Sequence, residues 1–393
     1  MIDRKETVGL MEPLTISPEA KNYSELMDLV IEVTAASTGL TRSLPAGVIK
    51  ALSELVRAMN CYYSNFIEGH NTHPVDIEKA LKNDFSQDSK KRDLQIEAKA
   101  HIEVQRWIDS GSIKEKTYKA ETIQAIHFQF AKSLPEDFLW VEDPETKEKV
   151  KVIPGEIRQR DVRVGQHYAI SPGAVPRFLK RYEEVYTSLG KAEAILNVAA
   201  AHHRLLWIHP FLDGNGRVAR LVSYSLLLET LETNSVWSIA RGLARNVNDY
   251  KQHLMACDSS RRGDLDGRGS LSHEALCAFT KYFLTTCLDQ IKFMEGLIQP
   301  NKLKERILLW VREEIREGQL PERSDTILEG ILFRGELPRG EVDVLLGVSG
   351  RSARRVVSAL AERQVIVSDS IRSPLRLAFP ANVTDRWLPG LFP

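Results

Sequence analysis

The run His209-Pro210-Phe211-Leu212-Asp213-Gly214-Asn215-Gly216-Arg217-Val218-Ala219-Arg220 contains the residue types that handling a polyphosphate requires. Gly214 and Gly216 leave out side chains where a backbone turns sharply and must approach a ligand, and the N–H groups around Asn215 open onto the next helix's N-terminus, an anion cradle. Arg217 and Arg220 stand three apart in the first turn of that helix and share a face. Cations are poorly placed at a helix N-terminus, so two arginines there call for neutralising phosphates. Asp213 offers a hard oxygen of the kind Mg²⁺ takes together with substrate phosphates, and His209 is the side chain suited to accept a proton near neutral pH. An apolar, Ala-rich run over about 192–208 precedes the stretch and a second helical pattern over 221–228 follows, so the chemistry sits in a helix-loop-helix junction.

In order and spacing the run matches His-x-Phe-x-Asp/Glu-Gly-Asn-Gly-Arg-x-x-Arg, and it resembles the signature of the Fic family of nucleotide-transferring enzymes at every defined position. The resemblance implies that His209 deprotonates a hydroxyl on a target protein and that Asp213 holds Mg²⁺. It also implies that Gly214, Asn215 and Gly216 surround the α- and β-phosphates while Arg217 and Arg220 grip the phosphate tail. The implied reaction is attack of a Ser, Thr or Tyr oxygen on the α-phosphorus of ATP, leaving AMP on the target and releasing pyrophosphate. Phe211 takes the family's apolar position and is expected to anchor the loop in the core.

A second stretch, Ser64-Asn65-Phe66-Ile67-Glu68-Gly69, places Ser64 and Glu68 on one helical face and ends on a glycine suited to the C′ position. A carboxylate at the partially negative end of a helix is disfavoured, so Glu68 is expected to have a cationic partner elsewhere. The stretch resembles the Fic inhibitory pattern Ser/Thr-x-x-x-Glu-Gly/Asn, in the class that carries the inhibitor N-terminal to the core. This resemblance implies that Glu68 pairs with Arg220 and keeps the γ-phosphate from its guanidinium. In some family members the matching glutamate helps to remove AMP instead, so a de-AMPylating enzyme stays open as an alternative.

The chain has 393 residues, of which 43% are hydrophobic and 27% charged, enough for two or three domains with a sizeable core. Its 53 basic and 53 acidic residues balance, which excludes a global field for nucleic acid or an anionic membrane. Cys61, Cys257, Cys277 and Cys287 show no C-x-x-C spacing, and the N-terminus lacks an apolar h-region, so free thiols in a reducing cytoplasm are expected. No run approaches transmembrane length, so no membrane partner is expected.

The elements that must position these residues can be read around them. Residues before 44 read as a loosely structured lead-in, 44–59 as a helix, 70–88 as polar loop, and 90–110 and 122–134 as helices, with His127 a packing residue. Residues 140–153 suggest a short strand pair, and Val162-Arg163-Val164 before Gly165 a hairpin. The place of this hairpin resembles the Fic flap, which pairs with target main chain and holds its hydroxyl near His209. Tyr250 resembles a family position near the adenine, although an aromatic on a helix also packs as core. Residues 261–269, with Asp264 and Asp266, lack the spaced ligands of an EF-hand and read as a loop.

The fold expected is mainly α: a Fic-type helical core with a β-hairpin flap, followed by a C-terminal winged helix-turn-helix domain. The division expected is 1–110, an N-terminal helical region with the inhibitory helix at about 62–69, then 111–299, the catalytic core, then 300–393, the winged-helix module. Arg351, Arg354, Arg355 and Arg363 on that module's second helix make a candidate phosphate or base-reading face. The function expected is an autoinhibited protein adenylyltransferase using ATP and Mg²⁺ on a hydroxyl-bearing protein target. The alternative from another class is a DNA-binding regulator with a nucleotide-sensing site, and DNA and a homodimer partner both stay open.

Overall fold

Apolar residues recur three and four apart through most of the chain, and helices follow wherever this period is uninterrupted. The structure, a computed structural model, describes residues 2–113, 116–142 and 147–392. The segment before residue 44, expected to be loosely structured, contains a twenty-residue helix, α1 (Tyr23–Arg42). The helix expected over 44–59 and the stretch at 62–69 are one element, α2 (Ala46–Ile67), because nothing between Met59 and Cys61 breaks the period. A further helix, α3 (Pro74–Leu81), lies in the expected polar loop, started by Pro74, whose missing N–H costs nothing in a first turn. Next come α4 (Ser89–Asp109), capped by the Asp88 carboxylate on Lys91 N at 2.8 Å, and α5 (Ala120–Ala131).

Two antiparallel hairpins follow. In the first, β1 (Trp140–Glu142) pairs with β2 (Lys149–Lys151), Trp140 opposite Lys151. In the second, β3 (Arg163–Val164) pairs with β4 (His167–Tyr168) around Gly165, whose φ of 60° suits a residue without a Cβ. Then come α6 (Val175–Tyr186), α7 (Lys191–Leu196), α8 (Val198–Ile208), α9 (Asn215–Leu231), α10 (Ala240–Arg245), α11 (Val247–Cys257) and α12 (His273–Ile298). The single run expected over 192–208 is interrupted at Asn197, whose amide accepts from Ile16 N at 2.8 Å and donates to Glu193 O at 2.9 Å. The C-terminal part holds α13 (Pro300–Arg316), α14 (Ser324–Arg334), α15 (Val342–Leu346), α16 (Gly350–Glu362), β5 (Ile366–Val367), β6 (Arg376–Leu377) and α17 (Ala381–Trp387), the last without forewarning from the sequence.

The chain forms two compact units. One comprises residues up to Ala36, Asn60–Glu232 and Ser238–Gln290; the other comprises Ser37–Met59, Thr233–Trp237 and the chain from Ile291 on. The boundary expected at 110 has no counterpart in this division, and the one expected at 299 lies near the transition after Gln290. In the first unit α8 and α9 pack along each other, with α4 and α5 against α9 and α6 against α8. Phe178, Tyr182 and Phe211 are fully buried there. The N-terminal segment is tied in by hydrogen bonds: Tyr186 Oη donates to Leu14 O at 2.6 Å, and the buried Arg204 donates to Pro13 O at 2.9 Å. In the second unit the buried rings of Trp310 (α13) and Trp387 (α17) meet edge to face at 5.2 Å, and α15 and α16 pack together across a turn at Gly347. Among the described residues no helix is long and apolar enough to cross a membrane. The four cysteines are buried and unbridged.

Candidate functional site

Helix α8 stops at His209, whose φ of 52° and ψ of 63° turn the chain out of the helix. Its backbone N–H still donates to Leu205 O at 3.1 Å. Its ring Nδ1 lies 3.2 Å from Leu206 O, an arrangement that assigns the proton to Nδ1 and leaves Nε2 as the base. Burial lowers the His209 pKa to about 4, with the nearby Arg158 charge acting in the same direction, so the ring is neutral at pH 7.

The loop that follows is braced from within. The Asn215 side chain accepts from Phe211 N at 3.0 Å and donates to Phe211 O at 2.8 Å, so its amide closes the loop and only its backbone N–H faces outward to an anion. Gly214 adopts a φ of 79° as the N-cap of α9. Phe211 is buried, as expected, and its ring stacks on His127 at 3.9 Å and 4°. His127 Nδ1 in turn accepts from Gly155 N at 2.8 Å, which makes it a packing residue. Asp213 stands exposed at the loop tip.

Glu68 occupies the cradle. Helix α2 ends in the two hydrogen bonds of a Schellman cap, His70 N to Asn65 O at 2.9 Å and Gly69 N to Phe66 O at 3.0 Å, with Gly69 at a φ of 87°. This turn points the Glu68 carboxylate at the first turn of α9, so close to Gly216 that a methyl group there would overlap Glu68 Oε1. Arg220 Nη2 donates to Glu68 Oε1 at 2.5 Å, Arg220 Nε to Ser64 Oγ at 2.9 Å and Nη2 to Ser64 O at 3.1 Å. Burial alone would raise the Glu68 carboxyl, but Arg220 and Arg217 outweigh it and hold its pKa below the usual glutamate value.

Arg217 is not left waiting for a phosphate either. It pairs with the fully buried Glu97 of α4, and its Nη2 lies 3.2 Å from His70 Nδ1, which itself sits 2.7 Å from Glu97 Oε2. Each arginine of the motif therefore faces a carboxylate supplied by another helix. Tyr250 is 2% exposed, with its hydroxyl 2.7 Å from His202 Nε2, and His202 Nδ1 is 2.9 Å from Ser223 Oγ. The core alternative describes this ring, because its polar end is turned inward to a histidine.

Val162, Arg163 and Val164 lie on the leading leg of the second hairpin, the latter two exposed, and Arg163 stacks over the Tyr168 ring at 4.8 Å. The hairpin is anchored on both sides: Arg4 forms two hydrogen bonds to Asp161, at 3.0 and 2.6 Å, and Glu6 accepts from Ser171 N at 2.8 Å and Ser171 Oγ at 2.6 Å. His167 Nε2 lies 2.8 Å from Trp207 O, linking the trailing leg to α8. Two residues at the site gave no signal in the sequence. Glu97 lies in a polar-looking helix, and Arg158 in the flap stem; neither has a local spacing that points to the loop 50 or more residues away.

Five histidines of this unit have pKa values depressed by burial, His101 and His202 to about 3 and His127, His203 and His209 to about 4. Each titrates at about 6.5 when the chain unfolds, so between roughly 6.5 and 4 the unfolded state binds more protons. The stability from keeping them neutral is complete above 6.5 and is lost as pH falls toward the folded values, on the order of 1 kcal/mol per histidine near pH 5.5. Urea denaturation is expected to show a midpoint that drops between pH 7.5 and 5.5, before carboxylates titrate; a constant midpoint there would contradict the buried neutral rings.

Residues 117–227 match the Fic/DOC family. The chain is 25% identical over 232 residues to a protein adenylyltransferase Fic of Drosophila willistoni, covering 55% of this chain and 44% of that protein. A Drosophila erecta relative of the same name is 38% identical over 76 residues, 19% of this chain and 15% of the relative. The chain thus spans less than half the length of these curated relatives. In fold it is similar to a Fic family protein from Desulfovibrio desulfuricans, with a TM-score of 0.53 at 16% identity, covering 93% of this chain and 98% of that one. It is also similar to a Fic-1 fragment from C. elegans, with a TM-score of 0.50 at 17% identity, covering 70% and 73%. The match over residues 117–227 takes in the loop built above, and the helical fold around it is shared with solved members, so the chain belongs to the Fic/DOC family.

Proposed function

We propose that the protein is an autoinhibited protein adenylyltransferase, transferring AMP from ATP to a Ser, Thr or Tyr hydroxyl of a target protein. One observation carries the reading: a glutamate from α2 stands in an anion cradle at the N-terminus of α9, holding Arg220, in the loop that carries His209 with Nε2 free. A carboxylate there uses the same helix dipole and guanidinium that a phosphate would use. With Glu68 displaced, the cradle and Arg220 become available to the phosphates of ATP. His209 Nε2 accepts the hydroxyl proton, the freed oxygen bonds to the α-phosphorus, and the bond to the bridging oxygen breaks, releasing pyrophosphate. The names of the curated relatives agree with this chemistry.

Asp213 fits a Mg²⁺ ion, because it is an exposed carboxylate at the cradle's edge and this cation commonly binds through one or two carboxylates plus phosphates and water. When bound there, Mg²⁺ would neutralise phosphate charge. The exposed leg Arg163–Val164 suits main-chain pairing with a target segment, which positions a hydroxyl while reading little of its sequence.

The test uses the Glu68→Gly protein with Mg²⁺ and ATP labelled on either the α- or the γ-phosphate. Label is expected on protein from α-labelled ATP only, with pyrophosphate released. Retention of γ-label, or of neither, in a cell lysate of many candidate targets would overturn the adenylyl-transfer reading.

A second reading concerns the C-terminal unit. Arg351, Arg354 and Arg355 lie exposed on α16, beside the β5–β6 ribbon, an arrangement of helix, turn, helix and ribbon that suits a duplex phosphate backbone. Arg363, grouped with them from the sequence, is instead paired with Glu314 at 2.7 Å. Duplex binding that weakens steeply with salt and is lost in Arg354→Ala/Arg355→Ala would support this reading, and no binding at about 50 mM salt would end it.

A further inference from the structure

Arg158 precedes the flap and has no place in the chemistry just described, yet it is 3% exposed. Its guanidinium donates only to backbone carbonyls: Nε to His209 O at 2.7 Å, Nη1 to Arg160 O at 2.8 Å, and Nη2 to Ile170 O at 2.5 Å and more loosely to Ile208 O at 3.5 Å. Its own backbone N–H donates to Pro210 O at 2.9 Å. The nearby carboxylates are engaged elsewhere, Asp161 with Arg4 and Glu6 with Ser171.

A buried cation is expensive to desolvate, and an apolar residue could fill this volume. What an apolar residue could not do is reach three separated carbonyls at once, which the rigid, five-donor fork of arginine does. The carbonyls it joins are informative. Arg160 and Ile170 lie on the two legs of the flap hairpin, one before β3 and one after β4. His209 and Pro210 flank the peptide at which α8 ends, and His209 holds a positive φ that a residue with a Cβ seldom adopts without surrounding support.

We propose that Arg158 is a positioning residue that ties both legs of the flap to the backbone of His209, setting the gap between a docked target segment and the base. The proposal rests on the adenylyl-transfer reading for its functional consequence. Its structural part, that Arg158 sets the position of His209, does not.

The test compares Arg158→Lys and Arg158→Ala with their parent, the full chain carrying Glu68→Gly. Lysine keeps the charge but can satisfy one or two carbonyls, so it guards against loss of fold in the alanine variant. Affinity for ATP is expected to stay within about 3-fold, while transfer to the target falls by on the order of 10²-fold, the usual consequence of an ångström-scale misplacement. Guanidinium ion at millimolar concentration is expected to restore part of the Arg158→Ala rate, and the His209 ring resonances to shift in both variants. Transfer within 3-fold of the parent, or ATP affinity falling in step with the rate, would overturn the proposal. So would His209 resonances that do not move. If the Glu68→Gly parent transfers no AMP, the adenylyl-transfer reading fails by itself, and the His209 resonances alone decide whether Arg158 positions the ring.

Discussion

Replacing Glu68 with glycine is expected to raise the rate of AMP transfer roughly 30-fold. A fully buried ion pair broken from one side costs about 3–5 kcal/mol. Arg220 is buried, but the Glu68 side chain is 32% exposed, so water screens part of the attraction and about 2 kcal/mol is the appropriate figure. ATP must displace the carboxylate before its phosphates reach Arg220 and the first turn of α9, and that displacement reduces the competent fraction by the same free energy. The gain is expected in both ATP affinity and rate, since the same guanidinium serves both. Titration sets the pH dependence. The pKa of Glu68 is lowered, so its contact is fully present above about 4.5 and is lost only as pH falls through the lowered value. The ratio of variant to parent is therefore expected to be flat from pH 6 to 8. Rates measured side by side with saturating target check both points, and a ratio under about 3 would remove autoinhibition from the account.

Replacing His209 with alanine, in the Glu68→Gly background, is expected to lower transfer by about 10²–10⁴-fold, the range for a lost general base, with ATP affinity nearly unchanged. The loop should survive the change. Its bracing comes from Asn215, from the stacking of Phe211 on His127 and from hydrogen bonds to backbone, none of which uses the His209 ring. The lowered pKa of about 4 adds a second expectation. Protonation removes the base only as pH falls toward that value, so the parent's rate is expected to show no inflection between pH 6 and 7. An inflection there would mean an imidazole in a more solvated setting than the structure shows. A rate that survives the substitution would mean that another group takes the proton.

Much of the site was legible because its local geometry is made by neighbouring residues. Gly214 must turn with a positive φ, Asn215 can reach back to Phe211 only across four residues, and Arg217 and Arg220 share a face by helical period. The same holds at the other end of the contact. Ser64 and Glu68 are four apart on α2, and Gly69 ends it in the conformation that glycine favours. Both hairpins also follow from β-branched alternation and a turn glycine. Helices α1 and α3 were less legible, because their apolar faces are short of contrast or interrupted by prolines and charges, and packing rather than periodicity decides them.

By itself the sequence determined the catalytic loop, the inhibitory helix end and the predominance of helices, because each is specified by residues within a turn or two of one another. Only the tertiary structure decided who meets whom. It placed the Glu68 carboxylate against Gly216, 148 positions away, paired Arg217 with Glu97, turned the Tyr250 hydroxyl to His202, and tied the legs of the flap to His209 through Arg158. These contacts join buried charges and polar groups from separate elements. Their partners are fixed by which helices pack and by the need to satisfy every buried donor and acceptor, which no local spacing encodes.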